Sequence, residues 1–293
     1  MRRVFVDDKL QKQYDKTGYV IVDALSADDV AELEKIYHEQ KVSDQPGIEL
    51  SIWSDDIELK KRISEKAGNL IFSRAGKYLN NYRMFYTGYV AKNSGKPNVS
   101  NLHKDPTLVD ESQFRTFGLW CPLTAVNRQN GAVHVVLNSH KIKDGYRGFT
   151  TFEYDFVPIT NEVMNNYGTI AEMKPGQVLI YDNALLHYSF ENKTDKPRIA
   201  CNCIVVPAEA QTIHLHHNKE LNTLDTYEID SDFMAQYYPK YLFKEIPDRK
   251  LLHRQPYNPP IPVSMETFKK EYERVNPSNF FTRLFRRNVT KAV

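Results

Sequence analysis

Residues 173–207, MKPGQVLIYDNALLHYSFENKTDKPRIACNCIVVP, restrict the fold more than any other stretch of this chain. Short apolar, β-branched runs alternate there with turn residues, a rhythm suited to strands rather than helices. Lys174-Pro175-Gly176-Gln177 is a turn signal. Val178 to Tyr181 reads as a strand, and Leu185-Leu186 deliver the imidazole of His187 just beyond it. A polar loop, Glu191 to Pro197, separates His187 from Arg198, which opens the long run Ile199 to Val206. The spacing predicts His187 and Arg198 on adjacent antiparallel strands.

Leu102-His103-Lys104-Asp105 supplies the partners. In a strand, positions i and i+2 share a face, so His103 and Asp105 project together and Lys104 turns away. Two imidazoles and one carboxylate on a β-scaffold make the facial triad of non-haem Fe(II) oxygenases, which leaves coordination positions open. His103, Asp105 and His187 are therefore the candidate metal ligands.

The other chemistry-bearing residues have plainer readings. His134 suits a structural place, and His140 suits a loop-ordering hydrogen bond. His214 and His216 alternate onto one face, yet no carboxylate stands at matching spacing for a second metal. Cys121, Cys201 and Cys203 are odd in number and fall in strand-like runs, as expected of buried free thiols in a reducing compartment. A formal charge of +2 gives no reason to expect nucleic acid or a membrane surface as partner. Residues 1–8 lack an apolar signal region and no run approaches a membrane span, so the expectation is a cytoplasmic protein acting on a small molecule.

In chain order, Lys9 to Lys16 suits a short helix and Tyr19 to Val22 a strand. Ser26 with Asp29 resembles a capping box at the start of a helix. Leu59 to Leu79 keeps a helical period, and Arg83 to Lys92 is an aromatic strand. Phe114 to Leu123 is the next strand. Asn127 to Gly131 carries a hairpin turn signal leading into Val133 to Leu137. Residues 144–167 form a long irregular stretch, a candidate lid over the substrate. Asp230 to Tyr241 reads as a helix, 247–262 as Pro-rich extended chain, and 280–287 as a basic amphipathic tail.

Several of these pieces occur together in a known order. His103-Lys104-Asp105, Trp120-Cys121-Pro122-Leu123, Asn130-Gly131-Ala132, Ser139-His140, Lys174-Pro175-Gly176, His187-Tyr188-Ser189 and Pro197-Arg198 resemble the phytanoyl-CoA dioxygenase family from about Thr17 to Pro207. One departure is Leu137-Asn138 before Ser139-His140, where the family often has Pro-Gly; it touches no metal ligand. The resemblance implies an Fe(II)- and 2-oxoglutarate-dependent oxygenase using O2. It implies that Ser189 and Trp120 contact 2-oxoglutarate, and that the strand carrying Tyr86 and Tyr89 lines the pocket. Arg198 suits the far carboxylate of the keto acid because its fork matches a carboxylate bidentately. Arg147, near the start of the candidate lid, joins Tyr86 and Tyr89 as a candidate substrate contact.

The expected fold is mainly β with flanking helices, a double-stranded β-helix of the cupin-like jelly-roll type. A single domain is expected, with 1–82 as helical support, 83–217 as jelly-roll core and 218–293 as a C-terminal extension. The expected reaction is hydroxylation of an unactivated C–H bond with release of succinate and CO2. Desaturation, cyclisation or epoxidation are variants of the same chemistry. Halogenation is disfavoured because Asp105 holds the place that chloride needs. Two readings from other classes are a catalytically silent cupin-like binding protein and a zinc hydrolase. In the first, keto-acid turnover is absent despite an intact pocket. In the second, Arg198 and Ser189 have no task.

Overall fold

A computed structural model describes residues 2–39, 46–143, 145–148, 156–238 and 248–277. The N-terminal part runs α1 (Asp8–Thr17), β1 (Tyr19–Asp23), α2 (Ala27–Glu39), β2 (Gly47–Leu50) and α3 (Ile57–Ala75). The barrel strands follow: β3 (Tyr82–Asn93), β4 (Ser100–His103), β5 (Phe117–Pro122) and β6 (Val133–Val136). After α4 (Thr160–Asn166) come β7 (Gly168–Ile170), β8 (Gln177–Asp182), β9 (His187–Ser189) and β10 (Arg198–Pro207). The chain ends in β11 (Ile213–Asn218), β12 (Thr223–Glu228), α5 (Phe233–Tyr237), β13 (Leu251–Pro256) and α6 (Met265–Val275).

Two antiparallel sheets build the jelly roll. The larger has the order β1-β8-β5-β10-β3-β2 and the smaller β4-β9-β6-β7. Residues 1–82, expected as helical support, thus also contribute β1 and β2 to the large sheet. A third sheet, β11-β12-β13, lies outside the pair and includes part of the Pro-rich stretch expected to be merely extended. Strand alternation divides the large sheet's two faces. Cys121, Cys201, Cys203 and Tyr89 share a cluster with Leu33, Ile63, Ala67 and Ile71 of the helices. Trp120, Leu179, Tyr181 and Ala200 face inward and meet Val135 of the small sheet. Each fully buried Leu or Ile contributes about 1.5–3 kcal/mol relative to exposure.

Local chemistry places the helices. Asp7 caps α1 by accepting from the amides of Lys9 and Leu10. The Ser26–Asp29 box closes in both directions, at 3.1 and 2.9 Å, as its sequence predicts. α3 buries Ile63, Ala67, Ile71 and Ala75 at four-residue spacing against the large sheet.

Three local expectations need correction. β9 and β10 are not neighbours: His187 stands in the small sheet and Arg198 in the large one. The 191–197 loop crosses between sheets, pinned by Asn192, whose Nδ2 donates to the carbonyls of Lys92 and Lys196. The 127–131 turn likewise passes from β5 to β6 in the opposite sheet rather than closing a hairpin, with Gly131 at φ +78°. His140 does not order its loop by hydrogen bonding, because its ring packs 5.3 Å from Tyr14 and Nδ1 has no partner. Ser139 does that work, its Oγ accepting from the Leu186 amide at 2.7 Å.

The expected lid, 144–167, is partly regular, containing a 3-10 turn at Val157–Ile159 and then α4. Residues 144 and 149–155 lie outside the described residues. So do 239–241 of the helix expected over Asp230 to Tyr241, whose described helical part is α5. The 280–287 tail is also outside them. Among the described residues no helix is long and apolar enough to cross a membrane.

Candidate metal and co-substrate site

β4 and β9 pair so that His103 sits directly across from His187. Their ring centroids are 4.2 Å apart. Each Nδ1 lies against a carbonyl two residues back: His103 on Asn101 at 2.7 Å, His187 on Leu185 at 2.9 Å. A carbonyl can only accept, so Nδ1 carries the proton in both rings and each Nε2 keeps a lone pair. β4 ends at His103, and Asp105 lies just past it, its amide donating to the Asn183 carbonyl at 2.8 Å. Asp105 Oδ1 then stands 3.9 Å from His103 Nε2 and 3.8 Å from His187 Nε2. The ligand atoms of the three residues lie within 4.8 Å of one another. Burial and the neighbouring His187 push the His103 imidazole down to about 4, which keeps it neutral and ligating.

The remaining carboxylate oxygen, Asp105 Oδ2, accepts from the Tyr181 hydroxyl at 2.8 Å. Tyr181 in turn accepts from Asn202 Nδ2 at 3.3 Å. Burial first, then the Asp105 charge, raises the Tyr181 phenol well above its ordinary value, so it stays a donor. Neither Tyr181 nor Asn202 stands out in the linear sequence. Their signal is phase: Asn202 shares a strand face with Arg198 and Ala200, and Tyr181 shares one with Leu179.

A cation anchors the interior of the large sheet. Arg198 is 2% exposed, and its Nε and Nη1 have no hydrogen-bond partner. Its guanidinium lies 5.4 Å from the Trp120 ring centroid. Burial lowers its pKa to about 10, yet leaves it charged at neutral pH. Lys92, directly across the strand pair, is also buried and donates to the carbonyls of Ser189 (3.1 Å) and Phe190 (2.6 Å). Desolvation, then Arg198, pushes Lys92 down to about 6. Sequence alone offers no reason to choose Lys92 over a solvated lysine. Ser189 is buried two residues past His187.

An unpartnered buried guanidinium carries a large desolvation cost that an anion would offset. Two imidazole Nε2 atoms and a hard carboxylate match Fe(II). The donor set and Arg198 together therefore fit a metal with a keto acid carrying a distal carboxylate.

The candidate substrate residues scatter. Tyr86 is buried against Leu108, Val109 and Phe233, its hydroxyl without a partner. Tyr89 belongs to the opposite face: its hydroxyl donates to the Leu33 carbonyl of α2 at 2.8 Å. Helix packing occupies it, and it does not reach the triad. Arg147 sits at the rim, where Nε donates to the Asp105 carbonyl at 3.0 Å and Nη2 pairs with Glu111. The rim cation is thus committed to holding the chain around Asp105. His134 is structural, stacked 5.0 Å from Tyr188.

The model of the family "Phytanoyl-CoA dioxygenase (PhyH)" matches residues 2–200. Among curated proteins none matches the chain. Of solved structures, the non-heme alpha ketoglutarate dependent epimerase SnoN from nogalamycin biosynthesis is similar at 18% identity and TM-score 0.51, covering 71% of this chain and 84% of that one. The carbocyclase SnoK from nogalamycin biosynthesis is similar at 17% identity and TM-score 0.50, covering 71% and 86%. These likenesses carry the fold, and the family match spans more than half of the sequence. The chain belongs to the phytanoyl-CoA dioxygenase family of 2-oxoglutarate-dependent non-haem iron oxygenases.

Proposed function

We propose that this protein binds Fe(II) through His103, Asp105 and His187 and hydroxylates an unactivated C–H bond of a small molecule. The observation that carries the reading is Arg198, a buried guanidinium with two donor nitrogens unpaired, lying over Trp120, which clusters with the Tyr181 that holds Asp105. When bound, iron and 2-oxoglutarate supply the oxidising chemistry, with O2 converting the keto acid to succinate and CO2. The protein's own residues do the rest. Arg198 would hold the distal carboxylate, for which its fork is suited, and Trp120 packs against the guanidinium. Ser189, buried two residues past His187, would add a hydroxyl donor. Lys92 holds the Ser189 and Phe190 carbonyls, fixing the end of β9. Asp105 retains the place that halogenation would need vacant. The three buried thiols suit the expected reducing, cytoplasmic setting. A zinc hydrolase leaves Arg198 and Ser189 without a task, and a silent binding protein predicts no keto-acid turnover.

Anaerobic titration with Fe(II) and 2-oxoglutarate tests this directly. The wild type should show the weak visible charge-transfer band of an iron-bound keto acid. Arg198→Ala should weaken 2-oxoglutarate binding by on the order of 30- to 1,000-fold, the loss of a buried charged hydrogen-bonded pair. No band in folded, iron-replete wild type overturns the proposal.

A further inference from the structure

We infer that Tyr181, backed by Asn202 and given room by Gly118, is a positioning residue that restricts Asp105 to a single metal-facing oxygen. This rests on the oxygenase reading above. Asp105 has two oxygens with different surroundings. Oδ1 faces both Nε2 atoms at 3.8–3.9 Å, whereas Oδ2 accepts the Tyr181 proton at 2.8 Å. The phenol holds Oδ2 away from the two Nε2 atoms that Oδ1 faces, so the carboxylate is kept from chelating and the remaining positions stay open for a bidentate co-substrate.

The phenol reaches Oδ2 because of what lies beneath it. Tyr181 on β8 pairs in register with Gly118 on β5, and Gly118 pairs with Ile204 on β10. A Cβ at Gly118 would stand 2.3, 2.5 and 2.6 Å from Tyr181 Cε1, Cζ and Oη. The ring therefore lies across β5 over a bare backbone, ending between Asp105 and Asn202. Its direction of donation follows from proton count. A phenol has one proton, and Asp105 Oδ2 takes it, so the 3.3 Å contact from Asn202 has Nδ2 as donor. Asn202 Oδ1 is left buried without a partner, a cost that the amide bears in this orientation. The Tyr181 ring also packs 5.0 Å from the His187 ring, so one side chain steadies two ligands.

Tyr181→Phe keeps the ring and removes only the hydroxyl, and Gly118→Ala displaces the phenol while keeping it. Both should weaken Fe(II) binding by about 10- to 100-fold, the usual effect of losing a partner of a metal ligand. Both should also shift the keto-acid charge-transfer band and the d–d intensity of a Co(II)-substituted protein, with thermal unfolding of Tyr181→Phe near wild type. Asn202→Leu should act in the same direction but less. Added to Tyr181→Phe, it should change nothing more, because it acts through the phenol. A wild type that binds both metals while Tyr181→Phe matches it in affinity, band position and Co(II) spectrum overturns this inference alone. A folded wild type that binds neither ion overturns the oxygenase reading beneath it.

Discussion

Two regions of this molecule assemble nearly the same residues to different ends. In the jelly roll, His103 and His187 stand beside Asp105. In the outer sheet, His214 and His216 stand on β11, with Asp225 directly across the strand pair from His216. The sequence shows no carboxylate at matching spacing for that second pair, because strand pairing rather than spacing brings Asp225 there. Yet Asp225 is spent. Arg254 binds it in bidentate fashion at 2.8 and 2.7 Å, and Thr223 and Tyr227 donate to it as well. His214 packs 4.9 Å from Phe233, and burial pushes its imidazole down to about 3. Among the described residues only the first trio converges as a metal-binding group. A metal centre differs from a polar core in what is left over. Asp105 keeps one oxygen uncommitted and both of its histidines keep Nε2 pointing inward, whereas Asp225 has no capacity to spare.

The sharpest way to break this contrast is to remove each carboxylate in turn. Asp105→Ala should abolish Fe(II) binding and the charge-transfer band while the protein stays folded. Asp225→Asn should leave the Fe(II) titration intact. If the two swap behaviour, the assignment of roles is wrong. A smaller effect should come from Arg254→Met, which strands the buried Asp225 carboxylate. Breaking such a pair costs about 3–5 kcal/mol when both partners are buried. Arg254 reaches solvent, so the expected loss in urea unfolding is smaller than that, with Fe(II) affinity unchanged.

A further effect is one of slope. His140 and His214 are each pushed down to about 3 by burial, from an ordinary value near 6.5. Between those values the unfolded chain binds more protons, so stability is full above pH 6.5 and is lost as pH falls. Each imidazole contributes about 1.4 kcal/mol per pH unit below that point. Urea unfolding of the metal-free protein from pH 7 to 5 should show the decline. His140→Phe should flatten it by one imidazole's share, and an unchanged slope would remove His140 from the account.

Much of the site was legible in residues. His103 and Asp105 were readable from two-residue alternation, although β4 ends at His103 and an Asn183 carbonyl, not a ladder, holds Asp105. Arg198 was readable as a cation opening a buried strand. Tyr89 was misread for want of phase: it lies one residue out of step with Tyr86 and Gly88, so its ring belongs to the helices. Lys92 and Tyr181 were invisible because their meaning depends on partners far along the chain.

The sequence by itself determined most of the barrel strands, the first three helices and the three candidate metal ligands, because period, turn chemistry and capping act over a few residues. Only the tertiary structure decided which sheet each strand joined, since pairing links residues as far apart in the chain as Tyr19 and Tyr181. It set His187 and Arg198 on opposite walls, left one guanidinium unpaired and one carboxylate consumed, and laid Tyr181 across Gly118. Those outcomes turn on which polar group finds a partner once water is excluded, and burial settles that through the whole fold at once.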